Sequence, residues 1–208
     1  MIDVANTPVN LASGIFGSWV GRRITVWTTK QTISEKNASE QRAENEIIFH
    51  TLVSLRSELN AAYQRYNSNM GQIFSNTPSQ QAPAIYIPIR EDYFPIYRNN
   101  TQIIGKIKRE KTIENIVLCY ICAAGMIDCI TFNNSLYEKH EKISYKILTS
   151  TNQLEVQELL KQQELIMGDI RDYWGKLQKQ HHDLHHIASL ARTGMTEEID
   201  RRREALKA

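Results

Sequence analysis

The stretch IFHTLVSLRSELNAAYQRYNSNMGQI, Ile48 to Ile73, places apolar residues at Ile48, Leu52, Leu55, Leu59, Ala62, Tyr66 and Ile73. Spacing of this kind keeps successive side chains on one side of an α-helix, whereas a strand would need every second residue. The stretch therefore predicts an amphipathic helix with one buried stripe, and such a helix gains most of its stability by packing against others.

Upstream, Lys30 to Asn45 keeps helix formers such as Glu35, Lys36, Glu40, Arg42 and Glu44 but has almost no apolar face, so it reads as a solvated stalk. Before it, Val9 to Gly21 (VNLASGIFGSWVG) is rich in apolar and small residues and is followed at once by Arg22 and Arg23. A full span needs about 20 apolar residues, and extending this one to Trp27 puts two arginines inside it. Two readings stand side by side: an inserted anchor, with the basic residues keeping the bulk of the chain in the cytoplasm, or a short buried or interfacial helix. No basic region precedes it, so it does not read as a secretory signal.

Downstream, Ser75 to Asn100 carries Pro78, Pro83, Pro88 and Pro95 among Ile85, Ile87, Ile89, Tyr93, Phe94 and Tyr97. Proline at that density forbids a continuous helix, while the aromatic and β-branched residues supply area to bury. The segment is expected to lie across the helices or form one short edge strand, its aromatics covering the bundle rather than a partner. A basic run follows (Lys106, Lys108, Arg109, Lys111), expected as a solvated loop. Then comes a helix apolar nearly all round, with Ile113, Ile116, Val117, Tyr120, Ile121, Met126, Ile127 and Ile130. From Ile116 to Phe132 its hydropathy resembles a membrane span, but Asp128 and three cysteines within about 17 residues favour a buried central helix.

The third helix has two alternative capping signals at its start, Ser150 with Gln153 and Asn152 with Glu155. Leu159, Ile166, Ile170, Tyr173, Leu177, Leu184 and Ile187 then form a heptad-like seam, interrupted by Gln163 and Gln180, of a kind that packs within a bundle or zips to a second copy. Gly194 is expected to end this helix, leaving a charged tail, 195–208, as a short exposed helix or frayed end.

These elements predict an all-α fold: a bundle of about three long amphipathic helices with a proline- and aromatic-rich cross-over loop and a coiled-coil-like C-terminal helix. The organisation expected is an anchor-like or interfacial segment, 1–29; stalk and helical core, 30–149, with the loop at 75–100; the long C-terminal helix, 150–194; and the tail. With 208 residues, 41% hydrophobic and 23% charged, the chain has enough apolar matter for a real core. Its net charge of +2 gives no general drive toward nucleic acid, which is not expected as a partner.

The order of an anchor-like segment with a basic cluster, a charged stalk, LVSLRSELN (Leu52 to Asn60), YFPIYRNNTQIIGKI (Tyr93 to Ile107) and ENIVLCY (Glu114 to Tyr120) resembles a layout of uncharacterised bacterial single-span membrane proteins. The resemblance covers roughly the first two thirds of the chain. It implies a small helical module on the cytoplasmic side of the inner membrane, and no reaction. The chain departs from the layout in its short, arginine-interrupted anchor and its long C-terminal helix.

Three constellations carry potential chemistry. HHDLHH places His181 with His185, and His182 with His186, one helical turn apart, a geometry able to hold a transition-metal ion. A structural zinc site needs about four protein ligands and a catalytic one about three, so Asp183, His50, His140 or a partner helix would have to contribute. The plainer reading is a histidine-rich polar face, with pH sensitivity near the imidazole pKa of about 6.5. Cys119 and Cys122 form a CxxC with Cys129 downstream, but a three, four, three rhythm with Met126 on an apolar helix reads as core packing, and nothing around it suggests a zinc ribbon or a thioredoxin-like site. Asp128, Glu58, Glu91 and Asp92 are carboxylates without a specified partner, and no nucleophile, phosphate-loop, dinucleotide or zinc-protease motif occurs.

The function expected is a non-catalytic interaction or structural module without a cofactor, partnered by another protein or by itself through the C-terminal helix and held at the inner membrane with its bulk in the cytoplasm. The alternative is a soluble cytoplasmic bundle that binds a transition metal through His181, His182, His185 and His186.

Overall fold

The computed structural model describes the backbone of residues 7–89 and 92–207, and side chains from Lys30 onward except at 79, 90, 91 and 208. Helix α1 is Thr7–Tyr66, followed by a wider π turn, Asn67–Gly71, and a short α2, Gln72–Asn76. One 3-10 turn, Ser79–Gln81, precedes an extended run. Two short helices follow, α3 (Pro95–Asn99) and α4 (Thr101–Ile104), and then two long ones, α5 (Glu110–Thr149) and α6 (Gln153–Lys207). No strand occurs among the described residues. The expected all-α bundle is what the chain forms.

The chain divides into two units, 1–47 and 48–208. In the first, residues 30–44 are helical and exposed, as their lack of an apolar stripe requires. The anchor-like side chains of Val9 to Gly21 lie outside the described residues.

In the second unit the stripe buries from its first residue: Ile47 is 53% exposed and Ile48 2%. Ile48, Leu52, Leu55 and Leu59 meet Ile116, Cys119 and Tyr120 of α5 and Ala188, Ala191, Met195 and Ile199 of α6 in one core cluster. A second cluster joins Phe74 and Ile87 to Met126 and Ile130 of α5 and Trp174 and Leu177 of α6. Helix α6 runs antiparallel to both partners. Arg56 bonds Thr196 while Tyr66 bonds His181, and Gln180 bonds the Cys122 carbonyl while Gln163 bonds Ser144. Consequently α1 and α5 point the same way, and the chain between them must return across the bundle. Residues 77–89 and 92–94 belong to that return, a packed segment with Ala82 and Ile87 buried. Of the two expectations for this segment, lying across the helices is the one realised.

Asn152 caps α6, its Oδ1 accepting from the Leu154 amide at 3.0 Å, while the Ser150 hydroxyl donates to Glu155 at 2.6 Å. The seam packs against α5 inside the chain. Both polar interruptions are satisfied there: Gln163 donates to Ser144 at 2.8 Å, and Gln180 to the Cys122 carbonyl at 3.0 Å. Gly125 sits under Gln180, where a Cβ would lie 3.2 Å from its amide nitrogen.

Two expectations about the end of α6 need correction. Gly194 does not end the helix, which continues to Lys207, and residues after it are not a solvated tail: Met195, Glu198, Ile199 and Arg202 are buried. A glycine inside a helix costs only about 1 kcal/mol relative to alanine, and burial of Met195 and Ile199 offsets that. Its function here is close approach, since a Cβ at Gly194 would stand 3.2 Å from the Thr112 hydroxyl of α5. Glu198 accepts from Arg202 Nε at 2.9 Å and from Arg201 Nε at 2.9 Å, so its buried carboxylate is paired with the buried Arg202 and the exposed Arg201.

Candidate functional site

A cleft of about 680 Å³ opens where α1 passes into the π turn. Its floor is apolar and buried, formed by Leu59, Ile87, Ala123, Met126, Ile130 and Leu184. Its rim holds the exposed Arg65, Ser68, Asn69 and Pro88. Three walls converge: the end of α1 with the π turn, the returning segment, and α5. A π turn inserts one extra residue per turn and so displaces its side chains from the helical stripe, a feature common at binding sites. Here it brings Ser68, Asn69 and Met70 to the cleft.

Each wall is fixed by a polar side chain. Glu58 on α1 accepts from the backbone amides of Ile96 (2.6 Å) and Tyr97 (3.1 Å), capping the first turn of α3 from a distance, and accepts from the Tyr120 hydroxyl at 3.0 Å. Burial and the neighbouring Glu58 carboxylate push the Tyr120 phenol well above its usual range, so it stays a donor. Tyr97 stacks on Tyr120 with ring centres 3.9 Å apart, and Phe94 meets it edge-on at 5.1 Å. Asn134 of α5 takes the place of a neighbouring strand, accepting from the Ile87 amide at 2.8 Å and donating to the Ile87 carbonyl at 2.7 Å.

The π turn has its own clasp. His181 Nδ1 bonds the Tyr66 hydroxyl at 2.8 Å, before the turn, and Nε2 bonds the Ser75 hydroxyl at 3.0 Å, after it. Gly71 permits the approach, since a Cβ there would meet His181 Cε1 at 3.3 Å and Asn67 Oδ1 closer still. Burial, then the neighbouring His185 and His182, lower the His181 pKa. His185 bonds Tyr63, whose ring carries Arg192 at 5.0 Å.

The four histidines thus separate by role. His181 and His185 face tyrosines of α1, while His182 and His186 are exposed. No group of three or more His, Cys, Asp or Glu side chains able to hold a metal ion occurs among the described residues. The cysteines are free thiols, and the core packing their rhythm suggested is complete at Cys119 and partial at Cys122 and Cys129; burial and the Cys122 beside it push the Cys119 thiol up to about 12, far from a reactive thiolate at neutral pH. Among the carboxylates, Glu58 is structural, Asp92 pairs with Arg98, Asp128 is exposed, and Glu91 lies outside the described residues.

Sequence reasoning missed the cleft and its clasp. The available signals were the run Asn67 to Gly71, polar residues at positions where the stripe should have continued, and Tyr63 and Tyr66 facing HHDLHH only once α6 folds back. Helix α5 is long and apolar enough to cross a membrane, with 39% of its apolar window buried, and it carries the buried Asn115, Asn133 and Asn134. No family model matches the chain, no curated protein matches it, and no solved structure matches it.

Proposed function

We propose that the chain is a non-catalytic helical interaction module, held at a membrane through Val9 to Gly21 with its bulk in the cytoplasm. The observation that carries this reading is the use made of the polar residues around the cleft. Glu58, Tyr120, Asn134 and His181 all hold backbone segments or helices in place, and the surface they shape is apolar. Rigid walls around an apolar floor suit recognition, because little freedom remains to be lost on binding. The stretches that carry the resemblance to anchored bacterial proteins, Leu52 to Asn60, Tyr93 to Ile107 and Glu114 to Tyr120, each contribute to the arrangement around Glu58. Helix α5 serves the bundle in this reading, since its buried asparagines face protein, and the anchor is left to the N-terminal segment. Arg22, Arg23 and Lys30 after that segment favour a cytoplasmic bundle.

The test is fractionation of the full chain beside Phe16→Asp. The native protein is expected to resist carbonate and require detergent, and the variant to become soluble; a native protein released by carbonate removes the anchor. In-cell cross-linking from a photoreactive residue at Asn69 is expected to give a discrete adduct with a partner, and its absence removes the interaction reading.

A further inference from the structure

The cleft is more specific than a generic apolar surface. Its volume of about 680 Å³ lies inside the range of small-molecule sites, roughly 300–1,000 Å³. Aliphatic side chains that line so large a space forgo contacts they would make in a closed core, and the cost of a cavity rises with its volume. A fold keeps such walls apart where another molecule's apolar surface completes the packing. Clasps at Glu58, Asn134 and His181 resist collapse from three directions.

The chemistry of the lining narrows the occupant. Unbranched Met70 and Met126 and the branched Ile89, Ile127 and Ile130 make a deformable aliphatic wall beside the rings of Tyr63, Tyr66, Tyr93 and Phe94, and its length of methylene and methyl surface suits a flexible chain. Among the described residues Arg65, on the exposed rim, is the one cation in the lining, and it has no carboxylate partner among them. Its guanidinium is permanently charged and matches a carboxylate with two parallel hydrogen bonds. We infer that the cleft is a binding site for a single-chain aliphatic carboxylate of the fatty-acid class, its chain on the Met126 and Ile130 floor and its head group at Arg65. The site goes beyond the anchored-module reading and does not depend on it.

Photolabelling of the full chain with a diazirine-bearing palmitate, in buffer or in detergent according to the phase in which fractionation recovers it, tests the site. Adducts are expected on the peptides containing Met126 to Ile130 and Ile87 to Ile89, competed by free palmitate and not by added vesicles of anionic phospholipid. Ala62→Trp, which fills the cleft from its partly exposed α1 wall, is expected to abolish these adducts while helical content and unfolding midpoint are retained. Arg65→Gln should weaken competition by palmitate about tenfold and leave competition by palmityl alcohol unchanged. Labelling confined to residues 9–27, or unaltered in a folded Ala62→Trp protein, overturns the site. Equal competition by palmitate in Arg65→Gln overturns the head-group assignment, and displacement by vesicles rather than free palmitate assigns the cleft to bilayer lipid and overturns the free acid. None of these outcomes alters the fractionation result, so the two readings fail separately.

Discussion

The two ends of the bundle solve the same packing problem in opposite ways. Where Ile48 to Leu59 meets Ala188 to Arg202, small residues let the helices approach, Gly194 touches Thr112, and even Glu198 and Arg202 are enclosed. Where α1 passes into the π turn, the returning segment comes between the helices and an open cleft remains. The difference follows the periodicity of α1, which is kept through Leu59 and lost in the π turn. One irregular turn moves side chains out of the stripe, and the polar clasps then fix the spacing that results.

The largest expected effect lies at the closed end. Glu198→Ala leaves the buried Arg202 without its carboxylate and is expected to cost about 3–5 kcal/mol, read by urea or thermal unfolding; a loss near zero would mean that this end is looser than its burial implies. The same pair gives a pH signature. Burial alone would raise the Glu198 pKa, but hydrogen bonds and charge from Arg201 and Arg202 outweigh it and leave it lowered. Its contribution is therefore complete above the ordinary value of 4.5 and is lost as pH falls below that through the lowered folded value, and Glu198→Gln should flatten this acid limb.

Gly194→Leu should cost about 1–3 kcal/mol by overpacking against Thr112. At the open end, His181→Phe removes two hydrogen bonds across the π turn and is expected to cost about 1–2 kcal/mol, with faster amide exchange from Asn67 to Asn76 as the local readout. Native His181 also predicts a second pH response. Because its pKa is lowered, its contribution is full above 6.5 and declines as pH falls from there toward the lower folded value, and the His181→Phe protein should lack that slope. The smallest effect sharpens the comparison most directly. Ala62→Leu enlarges a side chain facing the cleft and should change stability by less than about 0.5 kcal/mol, well below the cost of enlargement at Gly194; equal costs at both would mean that the cleft is as tightly packed as the closed end.

What the sequence determined by itself is the set of helices and their buried stripes. Period alone placed Ile48, Leu52, Leu55 and Leu59 on one face, identified Cys119 and Met126 as packing residues, and gave α6 its seam, because helical spacing is a local property of the chain. The start of α6 was legible within one pair of residues, with Asn152 acting as the cap. Gly194 misled because a glycine near the end of a periodic stretch has two physical uses, stopping a helix or admitting a neighbour, and only the position of Thr112 on another helix chooses between them. The same holds for the site. HHDLHH looked like a possible ligand set because spacing shows which histidines share a face and not what stands opposite; Tyr66, Ser75 and Tyr63 arrive there only through the antiparallel return of α6. Glu58 likewise gained its role from amides some 40 residues away in sequence. Local periodicity fixes which residues are buried, whereas which buried groups meet is set by chain reversal and the spacing of packed helices, and those belong to the tertiary structure alone.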